Sequence, residues 1–126
     1  MKIVKTSNAP AAIGPYAQAV IVGNLVYTSG QIPLCPKTME LVDGGIAKQT
    51  EQVMANLETV LAAAGSSPTN VVKATCFLSD LANFDAFNAV YAKTFTQKPA
   101  RSCVEAKLPK GALVEVEVIA ELKDVI

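Results

Sequence analysis

The chain has 126 residues, with 11 basic and 11 acidic side chains, no histidine and a formal net charge of zero. Hydrophobic residues make up 51% and charged ones only 17%, a balance that excludes intrinsic disorder and suits one cored domain over residues 1–126. No stretch approaches the roughly 20 apolar residues of a membrane span, and the even charge without a basic block argues against a surface that tracks nucleic-acid phosphates.

The first residues lack the apolar stretch of a secretory signal. Cys35, Cys76 and Cys103 are odd in number and widely spaced, which argues against a disulfide framework and for a reduced, cytoplasmic setting. Charged residues fall below the roughly 25% typical of soluble domains, so part of the surface is expected to be covered by another subunit. The missing histidine removes Ser-His-Asp and Cys-His nucleophiles and the His-containing zinc sites. Catalysis must then run on carboxylates, Arg, Tyr, hydroxyls, backbone groups or a thiol.

In chain order, Val20–Val22 and Leu25–Thr28 around Gly23-Asn24 read as a two-residue hairpin. An irregular connection follows, with Pro33, Pro36 and a turn at Lys37–Glu40. From Ile46 to Ala64, Ile46, Val53, Met54, Leu57, Val60, Leu61 and Ala64 recur on one helical face, and Gly65 suits its stop. Val71–Leu78 reads as a central strand. Asn83 is placed to cap a second helix, in which Phe84, Phe87, Tyr91 and Phe95 share a face and which Pro99 stops. Ser102–Lys107 is a short strand, Leu108–Gly111 a turn and Val114–Lys123 a last strand. The order predicts an α+β two-layer sandwich, one mixed sheet with two helices packed on one face.

Period two places Val114, Val116, Val118, Ala120 and Leu122 toward the helices, with Glu115, Glu117, Ile119 and Glu121 on the other side. Extended to the preceding strand, the same alternation puts Arg101, Cys103 and Glu105 on the helix-free face with those acids. That face then meets either water or a subunit contact containing a polar pocket.

Several residues there have chemical potential. A guanidinium at Arg101 can clamp a carboxylate through two parallel hydrogen bonds; taken alone, it also reads as a surface arginine paired with a neighbouring glutamate. Glu115 suits a general base or water-orienting group, or a solvated strand residue. Cys103 reads as a small packed residue rather than a nucleophile. Gly30, after Ser29, allows a ligand close to the backbone or merely a turn. Tyr16 suits a hydrogen-bonding lid or simple packing, and Asn88 lies off the apolar stripe of its helix, where solvent is the default.

Six blocks, taken together, resemble the RidA/YjgF family: Gly14–Ala19, Tyr27–Pro33, Gln49–Leu57, Phe84–Asn88, Pro99–Glu105 and Leu108–Glu117. The resemblance runs in order from about residue 3 to the C-terminus. It implies a chorismate-mutase-like fold, a homotrimer with clefts between subunits, and no metal or organic cofactor. The activity it implies is hydrolysis of reactive 2-imino or enamine acids, such as 2-aminoacrylate and 2-iminobutanoate, to 2-oxo acids and ammonia. A functional link to pyridoxal-phosphate-dependent dehydratases, which release such acids, follows. By motif position, Arg101 becomes the carboxylate-binding arginine and Glu115 the water-orienting acid. Tyr16, Ser29, Gly30, Asn88 and Cys103 line the cleft, the cysteine through its backbone.

Three features depart from the family pattern. The interval from Arg101 to Pro109 is one residue short, which inside a strand reverses side-chain facing unless a bulge is lost with it. Cys35 and Met39 stand where an Asp and a Gly are expected, so either Met39 adopts a positive φ or the turn differs. Two rival readings remain: a non-catalytic trimer that binds 2-oxo acids as a metabolic sensor or interaction module, and a ribonuclease, which the charge balance and missing histidines oppose.

Overall fold

A computed structural model describes residues 1–123. Its strands are β1 (Lys2–Val4), β2 (Ala19–Val22), β3 (Leu25–Thr28), β4 (Val71–Leu78), β5 (Ala100–Glu105) and β6 (Val114–Glu121), with helices α1 (Gly45–Ala64) and α2 (Phe84–Thr94). The strands form one six-stranded sheet in the order β1-β2-β3-β6-β4-β5. Neighbours are antiparallel except β4 and β5, which are parallel. The predicted mixed sheet with two helices is the observed architecture.

Strands β3 and β4 both run antiparallel to the β6 between them, so they are parallel to each other. The connections β3-α1-β4 and β4-α2-β5 therefore step the same way across the sheet from strands that point the same way. Crossovers of the usual right-handed sense then place both helices on the same face. Among the described residues, no helix is long and apolar enough to cross a membrane.

The core lies between the helices and that face. Val53, Leu57, Val60 and Leu61 of α1, with Phe87 and Tyr91 of α2, pack on Val26, Ala74, Cys76, Leu78 and the inward valines of β6. The inward set Val114, Val116, Val118 and Ala120 is buried and Glu115, Glu117 and Ile119 are half-buried, as the alternation predicts. Helix α1 ends where Gly65 takes φ +87°, with its N–H donating to Leu61 and Ala62 carbonyls; side chains enter that left-handed region only at a cost.

Several boundaries differ from expectation. The three-residue β1 was not foreseen: it is too short to show a period, and it forms by pairing with β2. The Asn83 side chain makes no cap hydrogen bond. Instead a 3₁₀ turn, Leu81–Asn83, precedes α2, and Asp80 caps it by accepting from the Ala82 N–H at 2.9 Å. Helix α2 ends at Thr94, before Pro99, and Lys98 takes φ +56°. Strand β5 begins two residues earlier than expected, because its pairing to β4 opens at Lys73 and Ala100.

Candidate functional site

Two groups of polar residues form on opposite faces of the sheet. The first lies between α2 and the edge strand β5. In the parallel β4–β5 ladder Ala74 pairs with Arg101 and Cys76 with Cys103. Ala74 and Cys76 are fully buried under the helices, so Arg101 and Cys103 share the helix side. This corrects the expectation that they lie on the helix-free face with Glu115. Alternation fixes facing within a strand, but the phase between strands comes from the register, which a short strand does not reveal. The ladder is unbroken through Glu105, so the shortened interval reverses nothing inside β5.

On that side the Arg101 Nη1 donates to the Asn88 side-chain oxygen at 2.7 Å. The guanidinium carbon lies 4.8 Å from the Tyr91 ring centre and 5.5 Å from that of Phe84, within cation–π range. Asn88 is thus an orienting partner rather than a solvated residue. The only ion pair among the described residues is Lys48–Glu51, so half-buried Arg101 lacks a carboxylate partner. Its remaining N–H donors are available to an anion. Burial raises the Cys103 thiol, an effect only partly opposed by Arg101. A neutral thiol is a poor nucleophile.

The second group lines a cavity of about 600 Å³ on the other side. Tyr27 pairs with Ile119 and Gln31 with Val116, so four steps on one strand face three on the other, a local bulge. The Thr28 hydroxyl accepts from the Val118 N–H at 3.0 Å within it. The bulge carries Ser29 and Gly30 alongside Glu115. A Cβ on Gly30 would approach the Glu115 Cδ to 2.9 Å, so the hydrogen at this position makes room for the carboxylate. The Ser29 hydroxyl donates to the Ala17 carbonyl at 2.5 Å and its N–H to Gln18 at 2.9 Å. Tyr16, 54% exposed, rests at the mouth with its hydroxyl accepting from the Ile13 N–H at 3.3 Å. Burial first, and then the like charge of Glu117, raise Glu115 above the ordinary carboxylate value.

Tyr16, Ser29, Gly30 and Glu115 are therefore brought together, as are Asn88, Arg101 and Cys103. The two sets are not joined within one protomer, because β4 and the thickness of the sheet separate them.

Sequence reasoning missed the residues that hold these groups in place. Gln18, buried, accepts from the Thr6 N–H at 2.7 Å and donates to the Pro10 carbonyl at 2.8 Å, fastening the segment before Tyr16. Asn56 reaches from α1 to the Leu34 carbonyl at 3.0 Å. Asn56 is a polar residue within a helical pattern, a signal that appears only as a break in amphipathicity, and Gln18 precedes β2, where no period marks it. Tyr91 read as apolar stripe because its ring does pack; its hydroxyl is buried without a hydrogen-bond partner, and burial pushes it up to about 12. Among the described residues, no group of three or more acids and cysteines is placed to hold a metal ion.

The family described as endoribonuclease L-PSP matches residues 6–122. A Lactococcus lactis protein, AldR, named for a proposed regulatory role, is 54% identical over 98% of this chain and 99% of its own. The 2-iminobutanoate/2-iminopropanoate deaminase of Bos taurus is 48% identical over 94% of this chain and 88% of its own. The solved structure of Escherichia coli TdcF with bound serine superposes with a TM-score of 0.92 at 41% identity, covering 98% of this chain and 100% of that one. With the same fold and such identity over nearly the whole length, the chain belongs to the endoribonuclease L-PSP family, that of the RidA and YjgF proteins.

Proposed function

We propose that the protein hydrolyses reactive 2-imino acids, formed directly or by tautomerisation of enamines such as 2-aminoacrylate, to 2-oxo acids and ammonium. The observation that carries this reading is Arg101, a half-buried guanidinium aimed by Asn88 and Tyr91 and lacking a carboxylate partner among the described residues. Such a fork suits the carboxylate of a small acid. A relative named for this deamination and a structural neighbour holding serine, itself an α-amino acid, support it.

The proposed site is composite. Arg101, Asn88 and the Cys103 backbone come from one protomer, and Tyr16, Ser29, Gly30 and Glu115 from its neighbour in a homotrimer. The helix-free sheet face favours such an assembly: Ile3, Val22, Tyr27 and Val104 are 63%, 52%, 39% and 47% exposed there, an apolar set that a second copy would cover.

In the reaction Arg101 pairs with the substrate carboxylate and fixes the plane of the C=N group. Glu115 orients a water and accepts its proton as the oxygen adds to the imine carbon. Return of that proton to nitrogen breaks the C–N bond, and the hydroxyl proton passes to the departing ammonia, leaving the C=O, ammonium and an ionised Glu115. Overall, R–C(=NH₂⁺)–COO⁻ and water give R–CO–COO⁻ and NH₄⁺, with no oxidant or cofactor. A protonated imine is already electrophilic, so orientation and one base suffice; such a base contributes roughly 10²–10⁴-fold.

The test is a coupled assay in which threonine dehydratase supplies 2-iminobutanoate and 2-oxobutanoate release is followed. Arg101→Lys and Arg101→Ala should lose at least about 100-fold in kcat/KM, or about 2.7 kcal/mol; near-wild-type rates reject the clamp. The 54% identity to a named regulator favours one rival, a trimer that binds 2-oxo acids without turnover. Calorimetric binding of 2-oxobutanoate with no acceleration in the coupled assay would establish that rival instead.

A further inference from the structure

The reaction scheme leaves the turn between Leu34 and Leu41 unused. Within it Met39 has φ +61°, a left-handed conformation that disfavours residues bearing a Cβ. Lys37, Thr38 and Glu40 are exposed, whereas Met39 is half-buried and lines the cavity that holds Gly30 and Glu115. The turn is closed at its base: the Met39 N–H donates to the Cys35 carbonyl at 2.8 Å and the Cys35 N–H to Glu40 at 2.9 Å. Leu34 and Leu41 form a bridge behind it, and Asn56 holds the Leu34 carbonyl from α1. A conformation so over-determined by its surroundings, at the wall of a cavity, is where backbone strain persists for function.

We infer that Met39 is a specificity-determining residue: its side chain forms the wall met by the substrate's side chain and limits how large that side chain can be. The inference rests on the imino-acid site proposed above. Ile13, Ile32, Leu34 and Pro109 complete an apolar wall in a cavity that Lys110, Glu115 and Glu117 also line, and an apolar wall selects aliphatic substituents. An unbranched thioether yields to a methyl or ethyl group. A branched four-carbon group needs the volume that Met39 occupies.

The test compares wild type with Met39→Gly, which removes the wall and suits the left-handed backbone, so the variant should unfold at the same or a higher temperature. Imines are supplied from threonine by the dehydratase and from leucine by an L-amino-acid oxidase. Met39→Gly should raise the ratio of kcat/KM for the leucine-derived imine over that for the threonine-derived imine about tenfold, in line with the discrimination a few methylenes provide. An unchanged ratio between the two overturns the inference. Calorimetry with 2-oxobutanoate and 4-methyl-2-oxopentanoate decides the matter separately from turnover. If wild type accelerates neither imine, the deaminase reading fails, yet a binding preference for the smaller acid that Met39→Gly abolishes still supports the wall. The same preference in both proteins, or no binding to either, overturns it.

Discussion

The Arg101 guanidinium carbon sits 4.8 Å from the centre of the Tyr91 ring, while the Tyr91 hydroxyl is buried without a partner. The ring, not the hydroxyl, makes the contact with Arg101. An orphaned buried donor costs about 1–3 kcal/mol, so Tyr91→Phe should keep the cation–π contact and be neutral to about 1 kcal/mol stabilising in urea unfolding. Tyr91→Leu removes the platform. It should raise KM for the imino acid more than Tyr91→Phe does, and equal KM values for the two variants would show that the ring does not aim Arg101.

Arg101 and Glu115 lie on opposite faces of one sheet, and this geometry predicts complementation. Arg101→Ala and Glu115→Ala proteins should each be inactive. Unfolded together and refolded as a mixture, they should recover activity at about a quarter of the sites if each site draws one residue from each of two neighbours in a cyclic trimer. Refolding without recovery, with mixed oligomers verified by mass spectrometry, would remove the composite site.

Gly30 is tied to Glu115 by space rather than by backbone angle. Its added Cβ would meet the carboxylate carbon at 2.9 Å and Cγ at 3.1 Å. Gly30→Ala should therefore displace the Glu115 side chain and reduce kcat by about tenfold or more, as misplacement of a reacting group does, while urea unfolding shifts by no more than about 2 kcal/mol. An unchanged kcat would show that the position of the carboxylate is unimportant.

Glu115 is raised first by burial and then by Glu117. The base must be ionised to accept a proton, and the kcat/KM profile reports the free enzyme, so its acid limb should lie above the ordinary carboxylate value. Glu117→Gln removes the smaller cause and should move that limb down without returning it to the ordinary value. Linkage has the matching sign. A carboxyl raised in the folded state disfavours folding as pH climbs from the unfolded value through the folded one. Glu115→Gln should therefore be more stable relative to wild type above that window than below it. An acid limb that Glu117→Gln does not move would separate the two charges.

Much of this architecture follows from local rules. The valines of β6 alternate because a strand's side chains do, and the α1 stripe recurs at helical spacing because only that face is buried. Hence the two-layer sandwich and the facing of β6 could be read from residue order. The ordered motifs likewise indicated the family and named the seven candidate site residues.

Relations between elements were beyond such reading. Whether Arg101 faces the helices depends on the phase of β5 against β4, set by the pairing of Ala74 with Arg101; a period of two is silent on phase. Asn88, off the apolar stripe, found its partner only because α2 packs over that strand. The approach of Gly30 to Glu115 depends on a bulge between residues about 85 positions apart in the chain, and the inward turn of Met39 on hydrogen bonds that close a loop. Local propensity acts over a few residues, whereas a binding site is made by contacts between distant ones, and those exist only after the sheet has chosen its register.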